Sequence, residues 1–259
     1  MGYIKVIACA AHYEFLMQIR RQATWIVLVL ICLLAFGLWH DFYIDGPEHP
    51  LTQTHAILAW VQFIAMIVPI GVGLVLADRL ARDHTIQVNE LLDTYQSPLS
   101  ARILGKYIGS TSATLVPVLA CYTVGTIIII ALVSGPETLL QALVAFAVIP
   151  LPGIMFIAGF SLLLPVILKV PLYQILFVGY WFWANLMSPR IGLPSPVGTM
   201  LNATGLWAQR AFFHYQFEFN FLHIQPTFWQ GIASMSLLIG LGIVALFIAC
   251  VYLRWQRSR

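Results

Sequence analysis

The chain has 259 residues, 60% of them hydrophobic and only 9% charged, and a formal net charge of +3. Globular domains carry about 25% charged residues, and a soluble fold of this length could not hide so much apolar surface, so the bilayer is the expected solvent. The basic residues form no clustered, water-facing module, which excludes a nucleic-acid partner.

Residues 3–22 open the chain and are too polar to span. Ile4, Ile7, Ala11, Phe15 and Ile19 recur at steps of three and four, with Lys5, His12, Gln18 and Arg21 largely off that face. This pattern predicts an N-terminal helix over residues 1–22 lying in the membrane interface. No cleavable signal peptide is expected, because nothing like a cleavage site precedes the next polar loop.

Six hydrophobic runs follow: Thr24–Trp39, His55–Ala77, Tyr107–Val133, Thr138–Leu168, Leu172–Met187 and Gln230–Leu253. Most reach or approach the roughly 20 residues that a helix needs to cross about 30 Å of hydrocarbon. None carries Lys, Arg, Asp or Glu in its middle. The fourth contains Pro150, Pro152 and Pro165, which predict a kinked or broken helix, and Pro69 and Pro117 are candidates to bend the second and third.

Orientation follows from charge. With a cytoplasmic N-terminus, Lys5, Arg20, Arg21, Arg79, Arg82, Arg102, Lys106, Lys169, Arg254, Arg257 and Arg259 all fall inside, and only Arg190 and Arg210 fall outside. An even number of spans with both ends cytoplasmic satisfies the positive-inside rule. The outer stretch 188–229 is too aromatic for a free loop and too interrupted for a span. It reads as short helices at, or dipping into, the outer interface, with Trp207, Phe212, Phe213, Tyr215 and Trp229 at headgroup depth. Asn202-Ala203-Thr204 is a formal glycosylation sequon to which no function is attached. The fold class is thus all-α integral membrane, one domain over residues 1–259 with six transmembrane helices.

Chemistry-bearing motifs are missing. There is no H-E-x-x-H, no G-x-S-x-G and no paired carboxylates on a helix face. Ser161 reads as a small residue where two helices approach. The spans hold no ionisable residue of the kind that couples a carrier to an ion gradient; Gln62, Gln141 and Asn185 are their strongest polar groups. A P-loop is not formed at Gly105-Lys106, because Ser100 stands where the first glycine belongs and Tyr107 replaces the hydroxyl residue. No metal site and no bound cofactor are expected, and the chain is not expected to be an enzyme. The cysteines Cys9, Cys32, Cys121 and Cys250 sit at no ligand spacing and read as buried, inert thiols.

The polar interval 78–106 is the feature that asks for a partner. It holds Asp78, Asp83, Glu90 and Asp93 beside Arg79, Arg82, Arg102 and Lys106. Val88, Leu91, Leu92, Tyr95 and Leu99 step by three and four, giving a short amphipathic helix that Ser97-Pro98 breaks. Arg102 and Lys106 then lead into the third run with their charges at the interface. By itself this could be a solvated cytoplasmic loop.

Taken together, the N-terminal helix, six runs, this interval and the long outer segment resemble the ABC-2 type transporter permeases. Arg79 and Arg82, Glu90-Leu91-Leu92, Thr94-Tyr95, Pro98-Leu99-Ser100 and Leu104-Gly105-Lys106 look like the family's loop between spans two and three. The resemblance implies a permease of an ATP-driven exporter in the cell membrane, paired with a second copy or a related permease. Two copies of a separate ATPase subunit, which alone binds ATP and Mg, would dock beneath it. Arg82, Val88, Glu90, Leu91, Leu92, Tyr95, Pro98, Leu99, Gly105 and Lys106 would be the coupling residues. An amphiphilic or hydrophobic cargo leaving from the bilayer suits the uncharged spans. The alternatives are an ATP-independent carrier or scaffold, and a haem- or metal-handling protein using His40, His49, His55, His214 and His223.

Overall fold

The computed structural model describes residues 2–43, 53–80, 98–132, 135–185, 187, 194–215 and 225–258. They form helices α1 (Tyr3–Ile19), α2 (Gln22–Tyr43), α3 (Gln53–Leu76), α4 (Leu99–Leu132), α5 (Thr138–Val148), α6 (Pro150–Ile167), α7 (Val170–Asn185), α8 (Leu206–Phe213) and α9 (Phe228–Arg257), with a 3-10 turn at Pro196–Gly198. There is no strand among the described residues.

Among the described residues, five stretches are long and apolar enough to cross a membrane: Gln22–Asp41, His55–Leu80, Leu99–Leu132, Thr138–Ile167 and Phe228–Gln256. By helix length and hydropathy the chain is a multi-pass membrane protein. The expected fifth span, Leu172–Met187, is not among them. Its run does form a helix, α7, but at 16 residues and 1.5 Å per residue it is about 24 Å long, below a full crossing. Asn185, in its last turn, accepts the Ala203 N–H at 3.2 Å.

The fourth run breaks as its prolines predict. Pro150 lacks an N–H and ends α5 at Ile149, where it opens α6 as a first-turn proline. Pro69 and Pro117 are instead absorbed inside α3 and α4.

α3 is the most enclosed helix, with residues 56–65 buried without interruption. Its neighbours are registered on it by polar side chains that reach backbone carbonyls. Trp39 of α2 donates to the Ala56 carbonyl at 3.1 Å, Gln174 and Trp181 of α7 to Leu74 at 3.4 Å and Met66 at 2.8 Å, and Gln209 of α8 to Leu58 at 3.3 Å. Trp60 of α3 itself donates to the Tyr122 carbonyl of α4 at 3.4 Å. The pairs fix direction: Trp39 meets Ala56 at one end of the α2–α3 pair and Arg21 meets Asp78 at the other, so those helices are antiparallel. α7 is likewise antiparallel to α3.

Between α7 and α8 the chain enters the bundle, and Ala203 packs on Gly153 of α6. Asn202 is buried there; its amide donates to the Val197 carbonyl at 2.9 Å and accepts from the Thr204 N–H at 2.9 Å. The sequon is thus a buried turn. The aromatic expectation divides: Trp207 and Tyr215 are buried in protein, while Trp229 is exposed.

α6 and α9 cross with their backbones nearly touching. A Cβ added to Gly159 would lie 2.6 Å from the Gly242 carbonyl oxygen, whereas Gly240, on the same helix as Gly242, has open space around it. Close approach of this kind is how helices pack when lipid gives no hydrophobic drive between them. Gly159→Leu is therefore expected to lower the apparent melting temperature, read by heating and size-exclusion chromatography, by roughly 5 °C or more. Gly240→Leu should leave it within about 2 °C of the parent.

Candidate functional site

Glu14, Arg21, Asp78, Arg79 and Lys106 gather where α1, the end of α3 and the start of α4 meet. α4 has 34 residues, about 51 Å of helix, longer than the hydrocarbon needs. α1 lies along its first turns. Tyr3 donates to Ser100 Oγ at 3.2 Å. One turn on, a Cβ at Gly105 would lie 2.6 Å from Ala10 Cβ and 2.8 Å from the Ile7 carbonyl oxygen, and a Cβ at Gly109 would run into the Ala11 carbonyl oxygen. Two glycines four residues apart thus let α1 sit directly on the α4 backbone.

This contact buries a salt bridge. Glu14 Oε1 lies 3.2 Å from Lys106 Nζ, with both side chains about nine-tenths buried or more. Gln18, one turn beyond Glu14, is fully buried. Just after α1, Arg21 Nη1 bonds Asp78 Oδ2 at 2.8 Å, and the buried Arg79 has its Nε 3.8 Å from Asp78 Oδ1. The two ion pairs differ in weight. Arg21–Asp78 is about one-third exposed on each side and contributes at most about 1 kcal/mol. Glu14–Lys106 is shielded, and removing one partner would strand a buried charge at a cost of about 3–5 kcal/mol.

The expected coupling residues fall into two groups. Arg82, Val88, Glu90, Leu91, Leu92 and Tyr95 lie outside the described residues. Of the others, Pro98 is exposed, Leu99 is half-buried against the main core, and Gly105 and Lys106 are buried. One reading is corrected. Lys106 does not carry its charge to a water-facing surface, because Glu14 receives it inside the protein. The α1 face that binds the bundle centres on Ala10, Ala11, Glu14 and Gln18, while Ile4, on the predicted apolar face, is largely exposed.

Glu14 and Gln18 were the residues that sequence reasoning missed. A signal existed: Ala101, Gly105, Gly109 and Ala113 form a small-residue stripe at four-residue spacing on α4, which marks a surface for another helix.

The arrangement joins the ends of several helices into one unit. Both roots of the 81–97 segment, Asp78-Arg79 and Leu99, are held in one body with the N-terminal helix. Among the described residues no three His, Cys, Asp or Glu side chains gather as metal ligands. At the other end of the α2–α3 pair, His55 stacks obliquely on Tyr215 with ring centroids 5.0 Å apart, and His40 sits 3.6 Å from Asp41. The fold and site define a multi-pass α-helical membrane protein. No family model, no curated protein and no solved structure matches the chain.

Glu14→Gln and Lys106→Met are each expected to destabilise the protein by about 3–5 kcal/mol. The pair Glu14→Leu with Lys106→Met should recover most of that loss, because the double variant strands no charge. A melting-temperature cycle over the four proteins checks this; additive losses would mean that the two side chains do not interact.

Proposed function

We propose that the chain is the permease subunit of an ATP-driven ABC exporter, with both termini in the cytoplasm and an amphiphilic or hydrophobic cargo. The observation that carries this reading is the anchoring of the 78–106 interval. Its two roots and α1 are bound together by Arg21–Asp78, Glu14–Lys106 and the Gly105–Gly109 backbone contact. A segment that receives force from outside must be rigidly attached to the helices that it moves, and this attachment meets that need.

In this reading two ATPase subunits dock on residues 83–100, supplying the nucleotide site and its Mg. The permease works with a second copy of itself or a related chain. Nucleotide binding biases a two-state equilibrium between inward- and outward-facing arrangements, of which the helices are the bistable element. The helix face Val88, Leu91, Leu92, Tyr95 would make the docking contact, with Glu90 beside it. An ATP-independent carrier or scaffold is the competing outcome.

Copurification from native membranes tests the reading. An associated ATPase whose hydrolysis rate changes on reconstitution with this protein is the expected result; no associated ATPase, with transport that collapses together with an ion gradient, would sink it. Leu91→Asp and Glu90→Arg should leave the permease folded and monodisperse while cutting ATPase-coupled transport at least about tenfold, the scale of a lost interface anchor of about 1.4 kcal/mol or more.

A further inference from the structure

The two sides of α1 differ in charge. The inward side, centred on Ala10, Ala11, Glu14 and Gln18, packs on the bundle. The outward side carries Lys5, Cys9, Tyr13, Leu16 and Arg20, whose steps of three and four place them on one helix face. Lys5, Cys9, Tyr13 and Arg20 are exposed and Leu16 is half-buried. Cys9, expected to be a buried thiol, is thus a surface residue.

Glu14 is the one carboxylate in residues 1–22, and Lys106 receives it inside the protein. The outward side therefore presents two cations and no acid. Among the described residues neither Lys5 nor Arg20 is ion-paired; the pairs join Arg21 and Arg79 to Asp78, His40 to Asp41 and Lys106 to Glu14. Arg20 comes just before the Gln22–Asp41 span, so it stands at the edge of the hydrocarbon, where headgroups begin. Lys5 lies about 22 Å away along the helix. Tyr13, exposed between them, is a residue suited to headgroup depth.

We propose that this outward stripe of α1 binds anionic phospholipid headgroups, one phosphate at Lys5 and another at Arg20, in the leaflet that α1 faces. An interfacial helix needs no particular headgroup, but a face with two cations and no acid selects an anionic one. α1 is fastened to α4 by Glu14–Lys106, and Arg21 fastens the junction after it to Asp78. A lipid held on the stripe therefore braces the same body from which residues 81–97 emerge. The inference rests on the bilayer alone and does not require the exporter function.

The test places the full-length protein in nanodiscs of phosphatidylcholine with graded phosphatidylglycerol and counts the retained lipids by native mass spectrometry. The preference for phosphatidylglycerol should fall about fivefold for each of Lys5→Gln and Arg20→Gln, and it should weaken as salt is raised. Lys5→Arg with Arg20→Lys should keep it. Lys169→Gln, which removes an exposed cation between α6 and α7, should change it by less than about twofold. If the neutral variants fold poorly, the wild type decides: acetylation of Lys5 by a water-soluble reagent should slow in phosphatidylglycerol discs while that of Lys169 changes little. A wild type without preference, a preference unchanged in both neutral variants, or an equal effect at Lys169 overturns the inference. So does protection of Lys5 that needs a soluble protein instead of the anionic lipid.

Discussion

A polar group in an apolar solvent must find its partner inside the protein, and that constraint governs this bundle. Water satisfies stray donors in a soluble fold; hydrocarbon does not. The response is visible in the indole and amide N–H groups of Trp39, Trp60, Gln174, Trp181 and Gln209, each spent on a main-chain carbonyl of an adjacent helix. Tyr107 and Tyr122 do the same with their hydroxyls, to Met155 and Ala142. Such bonds set register, because a side chain that reaches a specified carbonyl allows no slip of one helix along the next. Hydroxyls without a neighbour turn back on their own helix, as Ser112 does to Ile108 and Thr123 to Leu119.

The same constraint explains the ion pairs where α1, α3 and α4 meet. Glu14 and Lys106 are tolerable inside protein only as a pair, and the pair forms only if α1 can reach α4. Gly105 and Gly109 open that approach by removing the Cβ atoms that would hold the helices apart. Geometry and charge therefore depend on each other: without the glycines the carboxylate stands too far off, and without the ion pair the close contact buries one unmatched charge.

Much of this was legible in the sequence, and the parts that were not share a cause. The long apolar runs, the break at Pro150 and the N-terminal helix are local properties, set by hydropathy and by the chemistry of proline. Two misreadings concern neighbours. Glu14, Gln18 and Lys106 look like surface residues to any rule that treats charge as a sign of water, because their burial depends on a helix nearly a hundred residues away. Trp207 and Tyr215 were assigned to the interface by composition, yet α8 and the residues after it pack into the bundle and bury them. The run Leu172–Met187 likewise does not reveal that its last turn binds the later loop through Asn185 and Ala203. The segment holding Arg82 to Tyr95 lies outside the described residues, and only its roots can be placed.

Those roots close a mechanical circuit. α1 is bound to the start of α4 by Glu14–Lys106, and Arg20 and Arg21 alone separate α1 from α2. Arg21 ties that junction to Asp78 at the end of α3, from which the chain runs through residues 81–97 back to α4. α1, the foot of α2, the end of α3 and the head of α4 thus form one closed body. A load applied between residues 80 and 98 cannot displace α4 without carrying α1, and through α1 it reaches α2. Further along, α2 and α4 are joined through Trp60 of α3, on which Phe36 packs edge-on and Tyr122 stacks.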